Sequence, residues 1–171
     1  MNLNRLFTSL LLMVMSMVCV NATEADDIKK KLEHAQGKEK LELLGVQYEL
    51  SLEGDDYNFM WRCLNDYLKE AQFQGNKSKE SDARYLRIEL FYNNDQNDSI
   101  YHYAPDDLAF IHENGSSEKF YEAWSCFVNT YVYDGSLTAG LKEAEKMYNQ
   151  AKKHKNDFGS GLACYVMGNA Y

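Results

Sequence analysis

Trp61-Arg62-Cys63-Leu64-Asn65-Asp66-Tyr67-Leu68-Lys69-Glu70-Ala71 carries Trp61, Leu64, Leu68 and Ala71 at steps of three and four. Such spacing sets all four on one face of a helix. Forty residues on, the same positions are Tyr101, Ala104, Leu108 and Ile111, and forty further on they are Leu141, Ala144, Tyr148 and Ala151. A second stripe recurs beside the first. It reads Leu41, Leu44, Gly45, Tyr48; then Ala83, Leu86, Arg87, Leu90; then Trp124, Phe127, Val128, Tyr131; then Cys164, Met167, Gly168, Tyr171. Its copies are offset by 42, 41 and 40 residues. Self-similarity at this period marks a helical-repeat solenoid. The expected fold is all-α: a right-handed α-α solenoid of three antiparallel helix pairs followed by one unpaired helix.

The chain has 171 residues, with 45% apolar, 26% charged and a single proline. The length suits one domain, and the composition is that of an ordinary globular protein rather than a disordered one. Residues 1–22 stand apart. Arg5 precedes an apolar run from Leu6 to Val20, and Val20-Asn21-Ala22 sets small residues at the spacing of a signal-peptidase cut before Thr23. The run is shorter than the ~20 residues a spanning helix needs. Residues 1–22 therefore read as a signal peptide, with an uncleaved anchor as the alternative. Cys19 invites a lipoprotein reading, but Ser16-Met17-Val18 lacks the small residue expected just before a lipidated cysteine.

Without Arg5 the chain carries 17 basic and 26 acidic residues, a net charge of −9. Such a charge opposes binding to nucleic acid, which needs a cationic stripe, and docking to an anionic membrane face. Membrane attachment is expected only through an uncleaved N-terminal anchor or a missing C-terminal part. Cys63, Cys126 and Cys164 remain, an odd number that cannot close a disulfide framework. They read as small buried hydrophobes, with one pair bridging neighbouring helices as the alternative.

The breaks place the elements. Residues 23–37 form an N-terminal capping helix through Ile28, Leu32 and Ala35. The repeats then run 38–78, 79–116, 117–156 and a partial 157–171, broken at Gly75, Gly115 and Asn156. The second helix of the middle repeat, 99–113, contains Pro105. Proline inside a helix removes a hydrogen bond at a cost of ~3 kcal/mol or more. A kink or split is expected there, with Asp106-Asp107 capping a second piece. Asp55-Asp56 reads as a cap in the same way.

Within each pair, a bulky residue followed by a small one and then Tyr (Leu44-Gly45…Tyr48, Met167-Gly168…Tyr171) meets a small–large–small partner, Ala144…Tyr148…Ala151. Together with Trp124, Phe127 and Tyr131 on the first helix, this resembles the tetratricopeptide repeat over residues 38–171. Two features depart from the family pattern. From the bulky first-helix residue (Leu44, Leu86, Phe127) to the corresponding second-helix position (Leu64, Ala104, Ala144) the spacing is 20, 18 and 17, which makes longer helices than those of a ~34-residue repeat. The usual closing proline is replaced by Asn76, Ser116 and Asn156.

The combination resembles exported tetratricopeptide proteins of Bacteroidetes-type bacteria, in which such repeats form the periplasmic sensor part of histidine kinases or membrane-anchored regulators. That resemblance implies a non-catalytic protein- or peptide-binding module in the periplasm or cell envelope, the sensor or scaffold part of a signalling system and a truncated piece of a kinase or regulator. It implies a concave groove lined by first-helix residues: Glu42, Val46 and Glu49; Arg84, Ile88 and Phe91; Glu122, Asn129 and Val132; Tyr165 and Asn169. Asn129 and Asn169 stand where family members hold a peptide backbone, while Ser125 and Tyr165 replace the lysines of a carboxylate clamp.

No phosphate loop, nucleophile elbow or zinc spacing is present, so no catalytic residue, metal or cofactor is expected. His34, His102, His112 and His154 read as surface residues in different elements. Two alternatives stay open: an envelope enzyme acting on glycans through an acidic groove, and a self-associating structural scaffold. Leu162, Ala163, Tyr165, Val166, Met167 and Ala170 leave the last helix little polar face. A truncated chain, or a second copy covering residues 157–171, is therefore expected.

Overall fold

The computed structural model describes residues 24–171. The signal-peptide reading of residues 1–22 lies outside the described residues. Eight helices are present among them, and no strand: α1 (24–32), α2 (Gly37–Ser51), α3 (Tyr57–Phe73), α4 (Lys77–Asn93), α5 (Asn97–Asn114), α6 (Ser117–Tyr133), α7 (Leu137–Lys153) and α8 (Asp157–Asn169). None of the described helices is long and apolar enough to cross a membrane. The chain divides into two compact units, one ending at Glu70 and the other Ala71–Tyr171.

In the first unit α2 and α3 run antiparallel. Lys40 Nζ meets Glu70 Oε2 at 2.6 Å, and Ser51 of α2 stands beside Cys63 of α3 at the other end. Between these points a Cβ on Gly45 would lie 3.7 Å from the Tyr67 ring. That is ordinary contact distance, so the pair would accept alanine there, and the small residue of the stripe is not required for the approach. Leu41, Leu44 and Tyr48 are buried, as are Cys63, Leu64 and Leu68.

In the second unit each helix packs on the next, and the first helices of successive pairs, α4, α6 and α8, pack on one another as well. This is the packing of a helical-repeat solenoid. The repeating small positions are sealed within it: Ala71, Ala104, Ala144 and Ala151 have no exposed surface. Asn76, Ser116 and Asn156 cap the following helices, their side chains accepting from the backbone N–H of Lys79, Lys119 and Gly159. Proline has no side-chain acceptor and could not fill that role, which accounts for its absence at these positions. Gly75, just before the first of these caps, has φ +64°, backbone that glycine adopts without strain.

The expected break at Pro105 does not occur. α5 runs unbroken from Asn97 to Asn114. Burial on both sides of the proline holds it: Ala104 and Ile111 are sealed, and Leu108 is 8% exposed. Asp107 is no cap either, being fully buried and ion-paired across to α4. Asp56 does cap, accepting from Phe59 N at 3.1 Å. One continuous α5 also puts His102 and His112 on the same helix, contrary to the expectation of separate elements. The three cysteines among the described residues are free, and they differ in setting: Cys63 is buried, Cys126 half-buried and Cys164 exposed, so the buried reading fails for Cys164.

Candidate functional site

The parallel helices α4, α6 and α8 present one continuous face. Lys119 Nζ meets Asp82 Oδ1 at 2.6 Å, and Tyr85 Oη lies 3.1 Å from Glu122 Oε2. The rings of Tyr92 and Tyr133 stack at 6.4 Å, and Asn169 Nδ2 donates to Asn129 Oδ1 at 3.0 Å. Tyr85, Glu89, Tyr92, Glu122 and Cys126 are half-buried along this strip, and Tyr165 is 61% exposed at its α8 side.

The residues expected to line a groove divide between this face and the interior. In the first unit Glu42, Val46 and Glu49 are exposed on α2. In the second unit Ile88 and Phe91 are sealed, and Phe91 stacks on Tyr103 of α5 at 5.6 Å. Val132 is buried, and Asn129 is 5% exposed and engaged with Asn169. Arg84 is spent on Glu80 and Asp107 and lies 4.4 Å over the Phe110 ring. Glu122, Tyr165 and Asn169 do reach the face. On α4 the open stripe therefore falls one residue later than expected, at Tyr85, Glu89 and Tyr92. The 84–88–91 stripe turns instead toward α5, because Asp107 draws Arg84 and Arg87 to that side. The sequence carried no independent signal of this phase: Asp82, Tyr85 and Glu89 stand 37 residues before the unlike Lys119, Glu122 and Cys126.

The centre of the strip is a tyrosine between two carboxylates. The Tyr85 hydroxyl donates to Glu89 Oε1 at 2.6 Å and also contacts Glu122. Burial pushes the Glu89 carboxyl above its ordinary range and the charge of Glu122 adds to this, while the Tyr85 hydroxyl and Lys119 oppose both. Burial, then Glu89, pushes the Tyr85 hydroxyl up strongly. Cys126 is pushed up to about 12 by burial, then by Glu89 and Glu122, so it is a thiol rather than a nucleophilic thiolate at neutral pH.

A raised carboxyl pKa means that the fold favours protonated Glu89. The stability it lends is fully present below the ordinary value of 4.5 and is lost as pH rises through the raised value. Glu89→Gln mimics the protonated form and keeps an acceptor for Tyr85. It is expected to melt close to the parent at about pH 4 and above it at about pH 7. Thermal melts followed by circular dichroism at the two pH values check this, and a difference that stays flat or reverses would refute it.

Elsewhere the charges are structural. Glu80 accepts from Arg84 and Gln72 and pairs with Lys77. Burial raises its pKa, but those partners outweigh burial and hold it below the ordinary range. Among the described residues no group of three or more His, Cys, Asp or Glu is arranged to hold a metal ion. Comparison with known protein families, with curated proteins and with solved structures yields no match.

Proposed function

We propose that this chain is a non-catalytic interaction module of the tetratricopeptide type, the sensor or scaffold part of an envelope signalling system, taking a partner polypeptide on the α4–α6–α8 face. The observation that carries this reading is the aromatic strip of Tyr85, Tyr92, Tyr133 and Tyr165 set among Glu89, Glu122 and Asn169. Tyrosines whose rings lie partly open and whose hydroxyls are polar are the side chains that anchor protein interfaces. The apolar run ahead of Thr23 supports export to the periplasm or envelope.

The test is quantitative capture from an envelope extract with the parent chain and with Tyr92→Ala and Tyr165→Ala. A specific partner is expected to be recovered at least ~10-fold less by the variants, the loss expected for an interface anchor. Equal recovery by all three would remove this face from the proposal.

Two other readings each have one observation in their favour. The Glu89–Tyr85–Glu122 arrangement puts two carboxylates on one hydroxyl, which suits acid–base work on a glycan. Glycan turnover abolished by Glu122→Gln would establish that reading. Exposed Phe158 and Tyr165 on α8 suit a self-associating scaffold. Sizing chromatography of Tyr165→Glu separates that case.

A further inference from the structure

A cleft of about 460 Å³ opens on the side of the second unit formed by α5, α6 and α7. α5 and α7 both pack on α6 but not on each other. The gap between them is floored by an α6 stripe of Phe120, Trp124, Phe127 and Tyr131, of which Tyr131 is half-buried and the other three keep only 6–8% of their surface open. One wall is Pro105, Leu108 and His112 of α5, and the other is Glu143 and Gln150 of α7. A Gln150 Nε2–His112 Nε2 contact at 3.1 Å closes one end. At the other end the Tyr131 ring is backed by Tyr101, 4.9 Å away and hydrogen-bonded to Asp134. The volume falls within the ~300–1,000 Å³ of small-ligand sites.

The chemistry of the cleft is an aromatic floor with a fixed carboxylate at its side. Trp124 Nε1 donates to Glu143 Oε1 at 3.1 Å and so orients the acid. The other oxygen, on a side chain 19% exposed, meets Lys146, 2.6 Å away and 58% exposed. A surface pair of that kind is worth about 0–1 kcal/mol and yields readily to a better-placed cation.

The same chain shows what such a setting accepts. Arg87 lies 4.4 Å over the Tyr103 ring while its guanidinium pairs with Asp107. Arg84 lies 4.4 Å over Phe110 while pairing with Asp107 and Glu80. Ring face plus carboxylate is thus filled twice by an internal guanidinium, and the cleft repeats the pattern without one. A planar, weakly hydrated guanidinium suits this combination better than a compact ammonium does. The net charge of −8 favours the approach of a cation.

We propose that this cleft is a second binding site, distinct from the α4–α6–α8 face, for an arginine side chain of a partner peptide. The guanidinium pairs with Glu143 over Trp124 and Tyr131, displacing Lys146. Gln150 lies two helical turns further along α7, about 10 Å away, where its amide meets the peptide backbone.

The probe is acetyl-Ala-Arg-Ala-amide, titrated into the intact chain against the same peptide with citrulline, which is isosteric and uncharged. The readout is the Trp124 indole N–H resonance, distinguished from that of Trp61 by Trp61→Phe. If that variant does not fold, the signal is identified through its change in Glu143→Gln. The arginine peptide is expected to shift the Trp124 signal to saturation, with the citrulline peptide at least ~10-fold weaker. Glu143→Gln keeps an acceptor for the indole and is expected to weaken binding at least ~5-fold, whereas Lys146→Met is expected to tighten it. Glu145→Gln, an exposed acid of α7 outside the cleft lining, is expected to leave it unchanged. Equal binding of the two peptides, an unsaturable response, or indifference to both Glu143→Gln and Lys146→Met overturns the proposal. So does an equal loss on Glu145→Gln.

Discussion

Replacing Asp107 by alanine is expected to cost about 3–5 kcal/mol of stability, the loss typical of breaking a buried pair from one side. Asp107 has no exposed surface, and its two oxygens receive Arg84 Nη1 at 2.8 Å, Arg87 Nε at 2.8 Å and Arg87 Nη2 at 2.5 Å. Arg84 retains Glu80 after the change, but Arg87 loses its carboxylate while remaining 11% exposed. The cost is that of a guanidinium stranded in a poorly solvated site, beyond the hydrogen bonds themselves. A domain holds only ~5–15 kcal/mol in all, so the variant should unfold at much lower urea. Arg87→Ala should cost less, because Arg84 still neutralises Asp107. Urea unfolding followed by circular dichroism reads both. A loss below about 1 kcal/mol for Asp107→Ala would mean that the network contributes little and that α4 and α5 are held by apolar contact alone.

That network marks the boundary of what the sequence could tell. The apolar stripe of α3, α5 and α7 was legible because repetition at forty residues exposes it without knowledge of any partner. Ala104, Ala144 and Ala151 indeed fall at sealed contacts. Asp107 follows a proline and another aspartate, which is also what a cap looks like. Its partners stand twenty and twenty-three residues earlier on another helix. Nothing local distinguishes a cap from a buried acid whose countercharges arrive through tertiary packing. The split expected at Pro105 fails for the same reason. The missing hydrogen bond is a local cost, and the burial of Ala104, Leu108 and Ile111 that outweighs it is a property of the assembled pair.

The face on α4 was misread by one residue for a related reason. Arg84, Ile88 and Phe91 were expected to be open by transfer from a shorter repeat pattern. In the longer helices here the inward side of α4 must serve both α5 and α6, so Ile88 and Phe91 are consumed in packing. The 37-residue register of Asp82 with Lys119 and Tyr85 with Glu122 is visible in the sequence only once it is known that these two helices touch. The missing closing proline was likewise legible as an absence. Its meaning, a helix cap at Asn76, Ser116 and Asn156, came from hydrogen bonds.

Gly159→Ala is expected to destabilise the second unit by about 1–3 kcal/mol, although alanine ordinarily favours a helix over glycine. A Cβ at this position would fall 2.7 Å from the Tyr121 ring, too close for any real contact. The ring has no room to retreat: Tyr121 is 3% exposed, nearly parallel to Trp124 at 6.5 Å and edge-on to Phe120 at 5.0 Å. The strain therefore passes to the α6–α8 interface and to the Asn156 cap, whose side chain accepts from Gly159 N at 2.7 Å. Gly161→Ala is the internal control. It lies two residues along the same helix with nothing within 4 Å of its Cβ, so alanine should stabilise there by about 0.5–1 kcal/mol. The two substitutions have identical chemistry, and the sequence Gly159-Ser160-Gly161 offers no basis for telling them apart. Thermal melts should move in opposite directions, by about 4–8 °C per kcal/mol for a unit of this size. If Gly159→Ala raises the melting temperature as Gly161→Ala does, the close seating of α8 on Tyr121 is wrong. The parallel packing of α6 and α8, on which the open tyrosine strip depends, would then have to be redrawn.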